Sequence, residues 1–175
     1  MPTSTAGKST SGFTLIELAV VLCLLGLFAS LVVPRLAGVG EGSRKAALRR
    51  LAGTVRYLYN ESVLTGREHR LIFDIDGGAW RAQQLTPEGE LVAAGSGGRG
   101  SRLPGGLRFA DVEVAGKGKS SSGEMTAEFS PGGWVPQTVV HFEREGRPPL
   151  TLRILPLTGG TELYEGYREF AGVRE

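Results

Sequence analysis

The sequence predicts an α+β protein: a long N-terminal α-helix followed by an antiparallel β domain. Three observations predict it. Phe13 to Val33 forms one long apolar run, FTLIELAVVLCLLGLFASLVV, with Glu17 as its single ionisable residue. Leu48, Leu51, Val55 and Leu58 then recur at spacings of three and four, which places them on one stripe of a helix. Beyond Gly66 the pattern changes to short runs of alternating apolar and polar residues, separated by Gly- and Pro-rich turns.

Residues 1–12 are polar and rich in Ser, Thr and Gly, with Lys8 as the one basic side chain. They read as an unstructured leader. The apolar run that follows is long enough to cross a bilayer core of about 30 Å as a helix. A secretory signal peptide fits poorly, because its apolar core is shorter, roughly 7–15 residues, and follows a basic start. A plain signal anchor explains the run but not Glu17, since a carboxylate in a membrane helix costs roughly 2.5 kcal/mol or more at mid-bilayer. A buried core helix of this length, apolar all round, does not suit 175 residues with 27 glycines. Glu17 therefore calls for a partner.

Pro34 removes a backbone donor just after the run and is expected to kink or end the helix. Gly38, Gly40 and Gly42 loosen the segment further, and helical periodicity returns near Ser43. Arg44, Lys45, Arg49, Arg50 and Arg56 occupy much of the remainder of the helix as a basic face. That face suits a partner or lipid headgroups, or simply solvent. Gly66 marks the helix end. The expected organisation is thus 1–12 leader, 13–34 membrane and assembly helix, 35–66 amphipathic stalk and 67–175 β domain.

Strand candidates follow in order. Leu71–Ile75 and Trp80–Leu85 pair through a turn at Asp76-Gly77. Glu90–Ala94 and Leu107–Val114 come next, flanked by Gly-rich loops over 95–106 and 116–123. Met125–Phe129 alternates, and Ser130-Pro131-Gly132-Gly133 turns. Thr138–Phe142 and Leu150–Leu155 form a hairpin, and Glu162–Glu165 follows the turn Leu157-Thr158-Gly159-Gly160. No internal repeat of fixed period is present.

The N-terminal residues carry a resemblance. Gly12-Phe13-Thr14-Leu15-Ile16-Glu17, the apolar span and Pro34 resemble the class III signal of type IV pilins and type II secretion pseudopilins. The resemblance implies a type IV pilin-like fold, with a transmembrane half, a kink at Pro34 and an amphipathic half on the long helix. It implies that a prepilin peptidase cuts between Gly12 and Phe13 and methylates the new amine of Phe13. It implies that Glu17 docks against the amine of a neighbouring subunit, a pairing that low dielectric strengthens. Phe129-Ser130-Pro131-Gly132-Gly133, the strand around Val139-Val140, Leu152-Arg153-Ile154 and Thr158-Gly159-Gly160-Thr161 resemble the C-terminal half of the GspH/FimT family of minor pseudopilins and pilins. Residues 82–123 match nothing by pattern.

The resemblance implies a single-pass protein of a Gram-negative inner membrane with its C-terminal domain in the periplasm. Composition alone leans to the other orientation, because Arg35, Arg44, Lys45, Arg49 and Arg50 follow the span. The implied partners are the prepilin peptidase, other major and minor pseudopilins, the inner-membrane assembly platform with its ATPase, and secreted cargo. The alternative within the family is a FimT-like minor type IV pilin that serves pilus assembly or DNA uptake. For DNA, the candidates are Arg99, Arg102, Lys117, Lys119, Arg168 and Arg174, interleaved with Glu165, Glu169 and Glu175.

Catalytic and cofactor motifs fail on their chemistry. Gly118-Lys119-Ser120 ends like a phosphate loop, but position 113 is Glu where the first glycine belongs. Gly38-Val39-Gly40 lacks the preceding strand and third glycine of a dinucleotide site. Asp74-Ile75-Asp76-Gly77 lacks the rest of a calcium loop. His69 and His141 stand far apart, and Cys23, the only cysteine, lies in the apolar run. No metal, cofactor or enzyme activity is expected. Trp80 and Trp134 are expected in the core or at an interface. The net charge of +2 gives no general pull toward nucleic acid.

Overall fold

The computed structural model describes residues 14–95 and 100–170, without the side chains of residues 31–40. The chain divides into two compact units, Met1–Val39 and Gly40–Glu175.

Helix α1 runs Leu15–Thr65. Thr14 opens it. The Glu17 N–H donates to both the Thr14 hydroxyl at 3.3 Å and its carbonyl at 3.1 Å, which satisfies a donor that the helix start leaves orphaned. Of the two outcomes expected at Pro34, a kink or an end, the end does not occur, because the helical backbone continues through that position. An interior proline removes one hydrogen bond and crowds the preceding turn, which either kinks or breaks a helix. At the far end the expectation holds. The helix stops at Thr65, and Gly66 takes φ +65°, a left-handed cap that a residue without Cβ adopts freely.

Ten strands follow: β1 His69–Asp74, β2 Ala79–Leu85, β3 Leu91–Ala93, β4 Ser101–Arg102, β5 Leu107–Val114, β6 Gly118–Ser120, β7 Glu124–Phe129, β8 Thr138–Arg144, β9 Arg147–Ile154 and β10 Thr161–Glu165. They build two antiparallel sheets. Sheet A has the order β3-β2-β1-β7, with β4 also pairing to β2. Sheet B has the order β10-β9-β8-β5-β6. The two predicted hairpins are both present, β1–β2 with Phe73 opposite Trp80, and β8–β9 with Val140 opposite Leu152. Strands β4 and β6 fall inside the segments expected to be loops. They are two and three residues long, too short to show an alternation.

A single core joins both sheets to the helix. The helical stripe of Ala47, Leu48, Leu51, Val55 and Leu58 is buried, as its spacing predicts. Sheet A contributes Leu71, Phe73, Trp80, Ala127 and Phe129, and sheet B contributes Phe109, Val112, Val140, Phe142 and Ile154. Phe73 meets Phe109 edge-on at 5.9 Å, and Phe109 meets Phe142 at 5.4 Å, so three rings run from one sheet into the other. Burying side chains of this size stabilises the fold by roughly 1.5–3 kcal/mol each.

Candidate functional site

The motif residues come first. Gly12 and Phe13 lie outside the described residues, as do Arg99 and Arg174 and the side chain of Pro34. Glu17 stands exposed in the first turn of α1. Every described side chain from Thr14 to Ser30 is exposed, including Leu15 at 88 %, Phe28 at 67 % and Cys23. An apolar surface that surrounds a helix and faces no protein is unfavourable in water. It requires lipid or other helices around it. Among the described residues no helix is long and apolar enough to cross a membrane. The stretch expected to do so includes Phe13 and the side chains of residues 31–34, outside the described residues. Its two hydroxyls are both engaged within the helix: Thr14 accepts from the Glu17 N–H, and Ser30 donates to the Leu27 carbonyl at 2.8 Å.

The second half of α1 holds the domain on one face and presents charge on the other. Glu41 bonds Lys45 at 3.2 Å and reaches across to Arg147 on β9 at 2.9 Å. The Lys45 hydrogen bond, then the Arg147 charge, hold its carboxyl below the usual carboxylate range. Arg49, Arg50 and Arg56 are exposed and have no described partner. Between the helix and β10 runs a largely apolar groove of about 330 Å³, floored by Leu48, Ala52, Leu152 and the half-exposed Leu163. Lys45 and Arg49 rim it.

Tyr59 ties the far end of the helix to two turns. Its hydroxyl sits 2.6 Å from the Leu157 carbonyl and 3.0 Å from that of Gly133, and donates to one or the other. Both glycine turns lie against this ring. A Cβ at Gly159, where φ is +58°, would overlap Tyr59 Cβ and Cγ. Beside these turns Trp134 is half-exposed, whereas Trp80 is buried in the core. The tryptophans thus divide between core and surface.

The basic residues proposed for DNA are mostly engaged. Lys117 bonds Glu128 at 2.9 Å and the Thr126 carbonyl at 3.1 Å. Lys119 bonds Glu169 at 2.9 Å and the Tyr167 hydroxyl at 3.1 Å, and these bonds raise its pKa. The Arg168 guanidinium lies over the Tyr164 ring at 4.8 Å. Arg102 is exposed on β4. Carboxylates already neutralise Lys117 and Lys119, so their pull on phosphate is weak.

The remaining motifs have structural partners. Asp74 accepts from the Gly77 N–H at 2.8 Å, and Asp76 accepts from the Gly123 N–H at 2.8 Å, so both carboxylates close turns. Among the described residues no three metal-binding side chains converge. His69 lies on sheet A and His141 on sheet B.

Sequence reasoning missed one cluster. Asp111, His141 and Tyr167 come together on the outer face of sheet B, 30 and 26 residues apart along the chain. The bulge in β5 and its pairing with β8 set Asp111 opposite His141, and the segment after β10 lays Tyr167 on both. The sole sequence signal is a histidine among the buried residues of β8, and that signal names no partner.

No family model and no curated protein sequence matches the chain. Solved structures do. The minor pseudopilin EpsH of the Type 2 Secretion System of Vibrio cholerae superposes with a TM-score of 0.57 at 15 % identity, over 73 % of this chain and 99 % of that one. A second crystal structure of EpsH gives 0.57 at 17 % identity, over 75 % and 99 %. Matched over nearly all of EpsH, the chain has the fold of a minor pseudopilin.

Proposed function

We propose that the protein is a minor pseudopilin of a type II secretion system, a non-catalytic subunit that assembles through its N-terminal helix and assists export across the outer membrane. One observation carries the reading: a pilin-type cleavage motif leads directly into an exposed apolar helix, and that helix continues into a domain with the EpsH fold. A prepilin peptidase cuts after Gly12 and methylates Phe13. The mature helix lies in the inner membrane, with the β domain in the periplasm. An ATPase and its platform lift the subunit into a short filament, where Glu17 meets the amine of the neighbouring subunit. The apolar helix is re-buried among other helices, which offsets the cost of leaving lipid. Pro34 sets a bend between the two halves of the helix. Other pseudopilins and cargo meet the β domain.

In-cell cross-linking of the mature protein, with neighbours identified by mass spectrometry, tests this. Secretion pseudopilins are the expected neighbours. Pilus subunits or DNA-uptake proteins instead would overturn the assignment in favour of a FimT-like minor pilin. That reading shares every N-terminal feature, but the carboxylate pairing of Lys117 and Lys119 weakens its DNA-binding form.

A further inference from the structure

Strand β8 is buried on both faces, although sheet B is an outer layer. Val140 and Phe142 point into the core. Val139 and His141 point the other way, and His141 is fully buried there. The cover is the segment after β10. The Gly166 carbonyl accepts from the Thr151 hydroxyl at 2.7 Å, and the Arg168 N–H donates to the same hydroxyl at 3.0 Å. Tyr167 stacks on the His141 ring at 3.7 Å and 11°. Residues 166–170 thus cross β9 and β8 and reach β5 and β6.

The bonds of His141 decide how this segment is held. Its Nδ1 lies 2.6 Å from the Asp111 carboxylate, and its Nε2 lies 2.8 Å from the Arg168 carbonyl. Both partners only accept. A neutral imidazole has one N–H and one lone pair, so it satisfies one of them and turns a lone pair on the other. The ring that fits both carries two protons and a positive charge. The Asp111 carboxylate balances that charge and also accepts from the Tyr167 hydroxyl at 3.0 Å. Burial holds Tyr167 above its ordinary pKa, so its hydroxyl stays a donor.

The other charged groups on this face are Arg108 and Glu113 on β5, Lys119 on β6, Glu143 on β8, Arg153 on β9, Glu162 on β10, and Arg168 and Glu169 in the segment itself; Arg108 pairs with Glu143, and the Arg168 guanidinium lies over the Tyr164 ring. Lys119 sits 2.9 Å from Glu169 and 3.9 Å from Glu113, and Arg153 sits 3.8 Å from Glu162 and over the Phe170 ring at 4.6 Å. They satisfy one another and leave Asp111 and the Arg168 carbonyl as the polar partners of the ring.

We propose that residues 166–170 are a strap latched over sheet B by a doubly protonated His141, and that loss of one ring proton as pH rises frees it. Freeing the strap uncovers Asp111, His141 and Thr151 as a new surface at the side of the domain. The periplasmic placement rests on the function proposed above; the latch does not.

The test is NMR of the full chain in detergent micelles between about pH 5 and about pH 8, the range in which histidines change charge. At the acid end both His141 ring nitrogens should report as protonated. The amide signals of Gly166 to Phe170 should then shift in step with loss of the ring proton. A neutral ring at the acid end, or strap signals indifferent to the ring, overturns the proposal. Thr151→Val removes the hydroxyl that holds the strap and leaves the ring in place. It should move the release to lower pH, and an unchanged release overturns the coupling. These readouts do not depend on secretion, so failure of the functional reading leaves them standing.

Discussion

At the scale of single residues, the most exacting position is Gly159. Its φ of +58° disfavours any Cβ by about 1–2 kcal/mol, and the Cβ would also press on the Tyr59 ring, with overpacking worth roughly 1–3 kcal/mol more. Gly159→Ala should therefore lower stability by about 2–5 kcal/mol in urea unfolding, whereas the same change at the open turn of Gly146 should cost only the backbone term. A turn was legible here from Thr158-Gly159-Gly160, but its reason was not, because Tyr59 lies 100 residues away and only packing brings it near. Glu17 shows the opposite balance. Its importance is plain in the sequence, and the structure adds that it is exposed at a capped helix start. Glu17→Ala should be cut and inserted normally yet fail in filament assembly, measured by secretion of cargo; normal secretion would remove the docking role. Gly12→Leu should leave the precursor uncut, read as a mass difference on a gel of membrane fractions.

At the scale of elements, helix α1 is the part the sequence states most clearly. A stripe at spacings of three and four is a geometric fact of a helix, and Leu51 and Val55 are fully buried on it. Leu51→Ala should cost about 2–5 kcal/mol, the usual range for a buried leucine, with the loss read from the shift of the urea midpoint. The helix is also tied to the β8–β9 hairpin through Glu41 and Arg147. Because the Glu41 carboxyl is depressed by its cationic neighbours, the tie is complete above the ordinary carboxylate value of 4.5 and is lost as pH falls through the lowered value. Wild type should exceed Glu41→Gln slightly in melting temperature at neutral pH, and the two should converge in acid. Strands β4 and β6 were not legible, since two or three residues carry no period. The passage of the helix through Pro34 was not legible either, since a proline states only that one hydrogen bond is missing.

At the scale of the whole molecule, the sequence showed the order of helix and strands but not which sheet each strand joins. Strand pairing is a long-range choice, and alternation says only that one face is buried. The sheets turn out to be interleaved along the chain. Sheet A takes β1 to β4 and then β7, and sheet B takes β5 and β6 and then β8 to β10. Strand β7 leaves the company of its neighbours in sequence to pair with β1, placing Ala127 opposite Leu71. This has a consequence in time. Sheet A waits for β7, which is made only after β5 and β6 of sheet B, and sheet B waits for β10, so no early half of the domain has a finished core. Contacts this distant slow folding toward the millisecond-to-second range typical of β-rich domains. A chain delivered from its N-terminus must stay open until its last third arrives, and a protein stopped after β6 holds two unfinished sheets rather than one good one.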